Sequence, residues 1–217
     1  MRHIKKLHWI ITLLLFCGIT TSAFAQTLKD VFTNSESPII YLGIDFSKTK
    51  LLDNGNADEI RNKYYVSINQ LIVNEPKKYD LKGAFVKSNI NYDFGAVTKN
   101  NALANLNDIL STASTDFYRF KETDITAIVK KLDLAGKTGI GLLLVLEAMR
   151  KLGNKGDAAI WVTLIDMKTK KVLMTERMES KGKGGIGFRN YWASTIRTLL
   201  DDIKDSKYKV WQAKYGG

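Results

Sequence analysis

Two constellations in this chain could do chemistry. The first is SKGKGGIGFRNYW, residues 180–192, where Gly182, Gly184 and Gly187 stand at the G-x-G-x-x-G spacing ahead of an amphipathic run. Glycines so spaced let backbone N–H groups close on a phosphate at a helix N-terminus. The second is a set of acids, Asp45, Glu147 and Asp166, each at or near the end of an apolar run. If those runs were neighbouring strands, the carboxylates could bind a divalent cation or serve a hydrolase as acid and base at a raised pKa.

Each constellation has a plainer reading. A dinucleotide loop needs a strand–helix–strand unit with a ribose-binding acid on the second strand. Here the strand before Gly182 closes a hairpin meander, and from Lys204 onward only KDSKYKVWQAKYGG remains, too short for such a unit. The P-loop pattern fails too, because Phe188 and Arg189 follow Gly187 in place of Lys and Ser or Thr. Two readings stay open. One is a tight strand-to-helix joint whose glycines permit φ > 0 and close packing. The other is an anion site built from Lys181, Lys183 and Arg189 with the amides of Gly184, Gly185 and Gly187. Acids at strand ends are equally explained by solvation or by pairing with Lys and Arg, so Asp45, Glu147 and Asp166 are candidates only. DNGNADE, residues 53–59, lacks the ligand spacing of an EF-hand, and Asn56 as a helix cap accounts for it. No metal or cofactor is expected.

Composition narrows the chemistry further. Arg2, Lys5 and Lys6 precede an apolar run from Leu7 to Thr21, and Ala23-Phe24-Ala25 precedes Gln26. This is a signal-peptide layout, with cleavage expected near Ala25. The alternative is a lipoprotein anchored through Cys17, although the bulky Phe16 stands where that route wants a small residue. No later run reaches the roughly 18 apolar residues of a membrane span. A secreted or periplasmic chain from Gln26 onward contains neither His nor Cys, since His3, His8 and Cys17 all lie before it. Ser-His-Asp and Cys-His catalysis, zinc sites built on His or Cys, and thiol redox chemistry are thereby excluded. The net charge of +11 falls to +8 when Arg2, Lys5 and Lys6 are removed. Outside the cytoplasm that charge points to envelope lipid or polymer, or an envelope protein, and not to nucleic acid.

The elements that must position these residues follow from periodicity. PIIYLGIDFS, residues 38–47, is apolar on both parities and predicts a central strand. Asn56 caps a predicted helix over 57–73 with Ile60, Tyr64, Ile68, Leu71 and Ile72 as its stripe. The segment 83–97 alternates as one or two short strands, and 98–117 has no clear period. A short helix is predicted over 123–132. Residues 140–152, 158–167 and 172–180 read as a three-strand meander joined by GNKG and KTKK turns. A last helix, with Phe188, Trp192, Ile196, Leu199, Leu200 and Ile203 on one face, runs to about Lys204. The sum is a single α+β domain over 26–217, its mixed or antiparallel sheet covered by about three helices.

Residues 158–196, with Ile165-Asp166, the TKKVL hairpin, the glycine loop and GFRNYW, resemble the C-terminal part of secreted Bacteroidota proteins of unknown function. IIYLGIDFSKTKL, residues 39–51, looks like the first strand of the same group. The resemblance implies a bacterial envelope origin and no known activity. In element order alone the chain is also remotely similar to α/β domains of outer-membrane assembly lipoproteins, such as curli-secretion and penicillin-binding-protein activator components. The expectation is a non-enzymatic envelope module, with the hydrolase as the alternative.

Overall fold

The computed structural model describes residues 27–217 except 135 and 154. The expected signal sequence, its cleavage site and Cys17 lie outside the described residues, as does Asn154 of the GNKG turn.

The two-sided apolar run folds as β1 (Ile39–Asp45), buried almost throughout. Strands β3 (Ile90–Tyr92) and β4 (Ile140–Leu152) flank it, both parallel to it. The short β2 (Lys50–Leu52) continues beyond the end of β1 and pairs with the same β4. β5 (Lys155–Asp166) and β6 (Lys171–Lys181) complete the expected antiparallel meander, so the sheet is mixed, in the order β3-β1-β4-β5-β6. The fold class is α+β as predicted, with more helix than expected.

Helices lie on both faces of this sheet. α1 (Leu28–Thr33), α2 (Ala57–Asn74), α3 (Leu81–Ala84) and α6 (Gly187–Tyr215) bury their apolar stripes against Tyr41, Ile44, Leu144, Ile160 and Met174. α4 (Gly95–Ala102) and α5 (Glu122–Lys131) cover Leu42, Leu143, Val145, Trp161 and Ile165 on the other face. Burial of this apolar area is the main term holding the layers together.

The structure refines two expectations and corrects the end of the last helix. In α2 the fully buried Tyr65 joins the stripe beside Tyr64, which packs half-buried against Phe188. Residues Ile60–Tyr64 form a π turn in which the Tyr65 N–H bonds to the Ile60 carbonyl, so the stripe advances by five residues once. The last helix does not stop at Lys204. A second π turn, Ile203–Lys207, makes the same five-residue step and carries Tyr208 and Trp211 onto Phe32 of α1. The segment 83–97 contributes one short strand, β3, the lower of the one or two expected, and its ends are helical. Asp80 caps Gly83 N–H at 2.8 Å and Asp93 accepts Gly95 N–H at 3.2 Å, so local side-chain bonds begin α3 and α4 on either side of it. The aperiodic 98–117 holds the end of α4 and two 3₁₀ turns, Leu106–Asp108 and Ser114–Tyr118.

Lys87, only 5% exposed, ties α1 to this framework. Its Nζ donates to the carbonyls of Val31 (2.6 Å) and Asn34 (2.7 Å) at the end of α1, the second of which also accepts Ser37 N–H at 3.1 Å. Burial pushes its pKa from 10.5 down to about 8. Below about 8 the ammonium is charged in both states and the folded chain bears the desolvation cost. Between about pH 8 and pH 10 the folded chain sheds a proton that the unfolded chain keeps, so stability rises with pH. Higher still, it falls, because burial holds the Tyr41 and Tyr65 hydroxyls protonated after those of the unfolded chain ionise. Urea midpoints across that window should rise for the parent and stay flat for Lys87→Met; a flat parent would refute the assignment.

A candidate cationic hollow at the carboxyl end of β1

The site begins with a break in β1. Gly43 has φ +99°, and the register with β4 shifts between Tyr41 and Gly43. Two buried amides take over the main-chain groups of the strand beyond it. Asn69 of α2 accepts Ile44 N–H (2.7 Å) and donates to the Ile44 carbonyl (3.1 Å). Asn101 of α4 accepts Phe46 N–H (2.6 Å) and donates to the same carbonyl (3.0 Å). Buried backbone groups need such partners, and their supply by side chains lets the chain leave the ladder.

Asp45, 1% exposed, sits at this exit. Its Oδ1 accepts Ser47 N–H (2.9 Å) and Ser47 Oγ–H (2.6 Å), and its Oδ2 accepts Asn100 Nδ2–H (2.6 Å). Burial raises its pKa, while the bonds from Ser47 and Asn100 oppose that shift. Asn100 also donates to Ser47 Oγ at 3.0 Å. Together these residues form a satisfied polar floor.

Above the floor lies a hollow of about 390 Å³ between the 47–48 segment, the end of α4 and α5. Lys48, Arg119 and Lys131 face it with a single acid, Asp124, while Phe120, Ile128 and Leu103 supply apolar wall. A second hollow of about 190 Å³ shares Ser47, Lys48 and Arg119. Arg119 stands between the two, its guanidinium 4.2 Å from the Phe120 ring centre and bonded to the Lys48 carbonyl. Its Nε is buried and has no hydrogen-bond partner. The guanidinium itself lines both hollows, and beside Lys48 and Lys131 it gives the larger one a cationic wall that would attract an anion. The hollow lies beyond the carboxyl end of a strand flanked by parallel neighbours, where open sheets commonly place ligands.

The carboxylates singled out in the sequence are dispersed. Asp45 is opposite Val145 of β4, and Asp166 is opposite Ile140, five residues away along the strand, or roughly 17 Å. Asp166 Oδ1 accepts the N–H groups of Lys168 (2.9 Å) and Thr169 (3.1 Å) and so closes the β5–β6 turn. Glu147 is fully buried, accepting Phe120 N–H (2.7 Å), Trp161 Nε1–H (3.0 Å) and Arg177 Nε–H (2.8 Å). Among the described residues no three acids are grouped closely enough to hold a cation.

The glycine loop packs tightly onto the start of α6. Gly184 and Gly187 have φ of +86° and +76°. A Cβ on Gly185 would lie 2.6 Å from the Asn190 carbonyl carbon, and one on Gly182 would lie 2.5 Å from Ser194 Oγ. Lys183 pairs with Asp201 at 3.0 Å. With Lys78 and Arg197 it borders a hollow of about 270 Å³ whose lining includes Gly184 and Gly185 but neither Lys181 nor Arg189. The predicted cations are therefore not gathered, and tertiary structure substitutes two others. Ser47, Lys48, Asn100, Arg119 and Lys131 escaped the sequence reading because three distant segments bring them together; the only local hint was the polar Asn100–Asn101 pair in an aperiodic stretch.

No family model matches the chain, and neither does any curated protein. Solved structures with a similar course of backbone include a PelC dodecamer from Paraburkholderia phytofirmans, 11% identical with a TM-score of 0.34, covering 82% of this chain and 90% of that one. The hypothetical protein CT253 from Chlamydia trachomatis is 9% identical with a TM-score of 0.33, covering 84% and 96%. The lipoprotein GNA1162 from Neisseria meningitidis is 11% identical with a TM-score of 0.31, covering 78% and 99%. At this level of similarity none of them assigns a site or an activity to the chain.

Proposed function

We propose that this chain is a secreted, non-enzymatic binding module of the bacterial cell envelope, one α+β domain from Gln26 onward, and that it holds an anionic group of an envelope component at the carboxyl end of β1. The observation that carries the reading is the gathering of Lys48, Arg119 and Lys131, with the single acid Asp124, around a hollow of about 390 Å³. A phosphate or carboxylate there would meet a guanidinium on a low-dielectric wall, where charge-assisted bonds are strongest. Phe120 and Ile128 would meet an apolar appendage of the same ligand.

The hydrolase alternative is less well supported, because Glu147 and Asp166 are held by structural partners and Asp45 is bonded by Ser47 and Asn100 beneath the hollow, outside its lining. The glycine-loop hollow ranks second as an anion site, since Lys78 and Lys183 are already paired with Glu75 and Asp201.

Glycerol phosphate, followed by amide chemical shifts, is a suitable probe of size and charge. Perturbations should centre on Ser47, Lys48 and Arg119, and affinity should fall at least about tenfold in Arg119→Met, the equivalent of about 1.4 kcal/mol. Lys131→Glu, a change at the rim of the hollow, should weaken binding in the same direction and lower its sensitivity to salt. Unchanged affinity in both variants, or perturbations confined to 181–189, would overturn the assignment.

A further inference from the structure

The two edges of the sheet are treated very differently. β3 has three residues, two of them exposed, and is too short to template another strand. β6 has eleven, no proline, and lysine only at its ends, Lys171 and Lys181. Its one irregularity, between Leu164 and Ile165 of β5 and opposite Leu173, leaves the following stretch regular. That is a long edge with neither proline nor an interior lysine.

The direction of its free groups follows from one bond. Gly182 N–H donates to the Gly156 carbonyl at 2.7 Å, continuing the β5–β6 register in which Asp157 is opposite Lys181. In an antiparallel ladder bonded pairs alternate. Ser180, Met178 and Glu176 therefore turn their main-chain groups towards β5, and Thr175, Arg177, Glu179 and Lys181 turn theirs outward. Among the described residues no main-chain hydrogen bond outside the sheet ladder meets those four.

We infer that this edge pairs with the same edge of a second copy of the chain, antiparallel and centred on Met178. Charge selects that register. It sets Arg177 opposite Glu179 of the other copy, twice, and Thr175 opposite Lys181, also twice. All four are outward-facing pairs, giving about eight main-chain hydrogen bonds. Centring on Arg177 would oppose two guanidiniums, and centring on Glu176 two carboxylates, which is destabilising. Arg177 is held in place by Glu147 and already meets Glu179 of its own strand at 2.8 Å, so it is pre-positioned at the edge. None of the three hollows is lined by residues 175–181.

Sedimentation equilibrium of the purified protein from micromolar to submillimolar concentration should show a reversible dimer. Glu179→Pro, which removes one outward N–H, and Glu179→Lys, which opposes like charges twice, should each weaken it at least about tenfold while leaving the unfolding midpoint of the monomer near that of the parent. Met178→Cys should oxidise to a covalent dimer, because the two copies of residue 178 face each other within disulfide reach. Lys181→Cys should not, its mate being six positions or roughly 20 Å away in this register. A parent that stays monomeric, a dimer indifferent to both Glu179 variants, or equal cross-linking at the two cysteines would overturn the inference. So would an edge that binds only an extended peptide of another protein.

Discussion

Glu147→Ala should lower the stability of the folded chain by about 3–5 kcal/mol, because it removes a fully buried carboxylate from its ion pair with the partly exposed Arg177 and strands the donors it satisfies. Glu147 satisfies three donors at once: the Phe120 amide, the Trp161 indole and the Arg177 guanidinium. Removing the carboxylate leaves two buried N–H groups unpaired, and Arg177 retains only Glu179 and the Phe117 carbonyl. The 3₁₀ turn Ser114–Tyr118 lies against the same guanidiniums, with Arg150 3.6 Å from the Phe117 ring centre and paired with Asp157. In a domain of this size each kcal/mol moves the melting temperature by about 2–4 °C, so a drop of roughly 10 °C is expected. Glu147→Gln keeps the shape and one acceptor and should cost less. A loss below about 1 kcal/mol for the alanine variant would mean that water replaces the carboxylate at no cost, and the structural role would be refuted.

Gly43→Ala should be comparably damaging for a backbone reason. At φ +99° a side chain is strained whatever its surroundings, and a Cβ would lie 2.9 Å from Asn69 Oδ1 and 3.0 Å from a Phe94 ring carbon. Strain and clash together are expected to cost about 2–4 kcal/mol. Gly136→Ala is the matched control. Its φ of +73° is equally unfavourable, but nothing lies within 4 Å of its Cβ, so a loss of about 1–2 kcal/mol is expected. The difference between the two variants isolates the clash. Because Asn69 holds the Ile44 main chain that leads into Asp45, displacement of its amide should also weaken glycerol phosphate binding at Ser47 and Arg119. Equal losses for the two variants in urea unfolding would show that the break in β1 tolerates a methyl group.

Part of this structure was legible in the residues alone. β1 and the meander were predicted near their observed positions, because burial on two faces and polar turns are written within a dozen residues. Of the two readings left open for 182–187, the tight joint agrees with the positive φ of Gly184 and Gly187 and the close approach at Gly182 and Gly185, which are properties of glycine itself. The π turns of α2 and α6 were missed because a five-residue step resembles an interrupted helical period until tertiary packing shows that Tyr65 and Tyr208 continue the stripe.

The absence of His and Cys from residue 26 onward, the basic surplus and the α+β alternation belong to the sequence, since each depends on residue type and local order. The fates of the three acids were decided only by folding: each had an equal local claim to reactivity, and strand register gave Glu147 to Arg177, Asp166 to a turn, and Asp45 to Ser47 and Asn100. The same holds for the hollow, where Arg119 reaches a carbonyl 71 positions away. Contacts across such distances carry no periodic signal in the chain; they exist because the layers bury their apolar faces together and bring those polar groups within bonding distance.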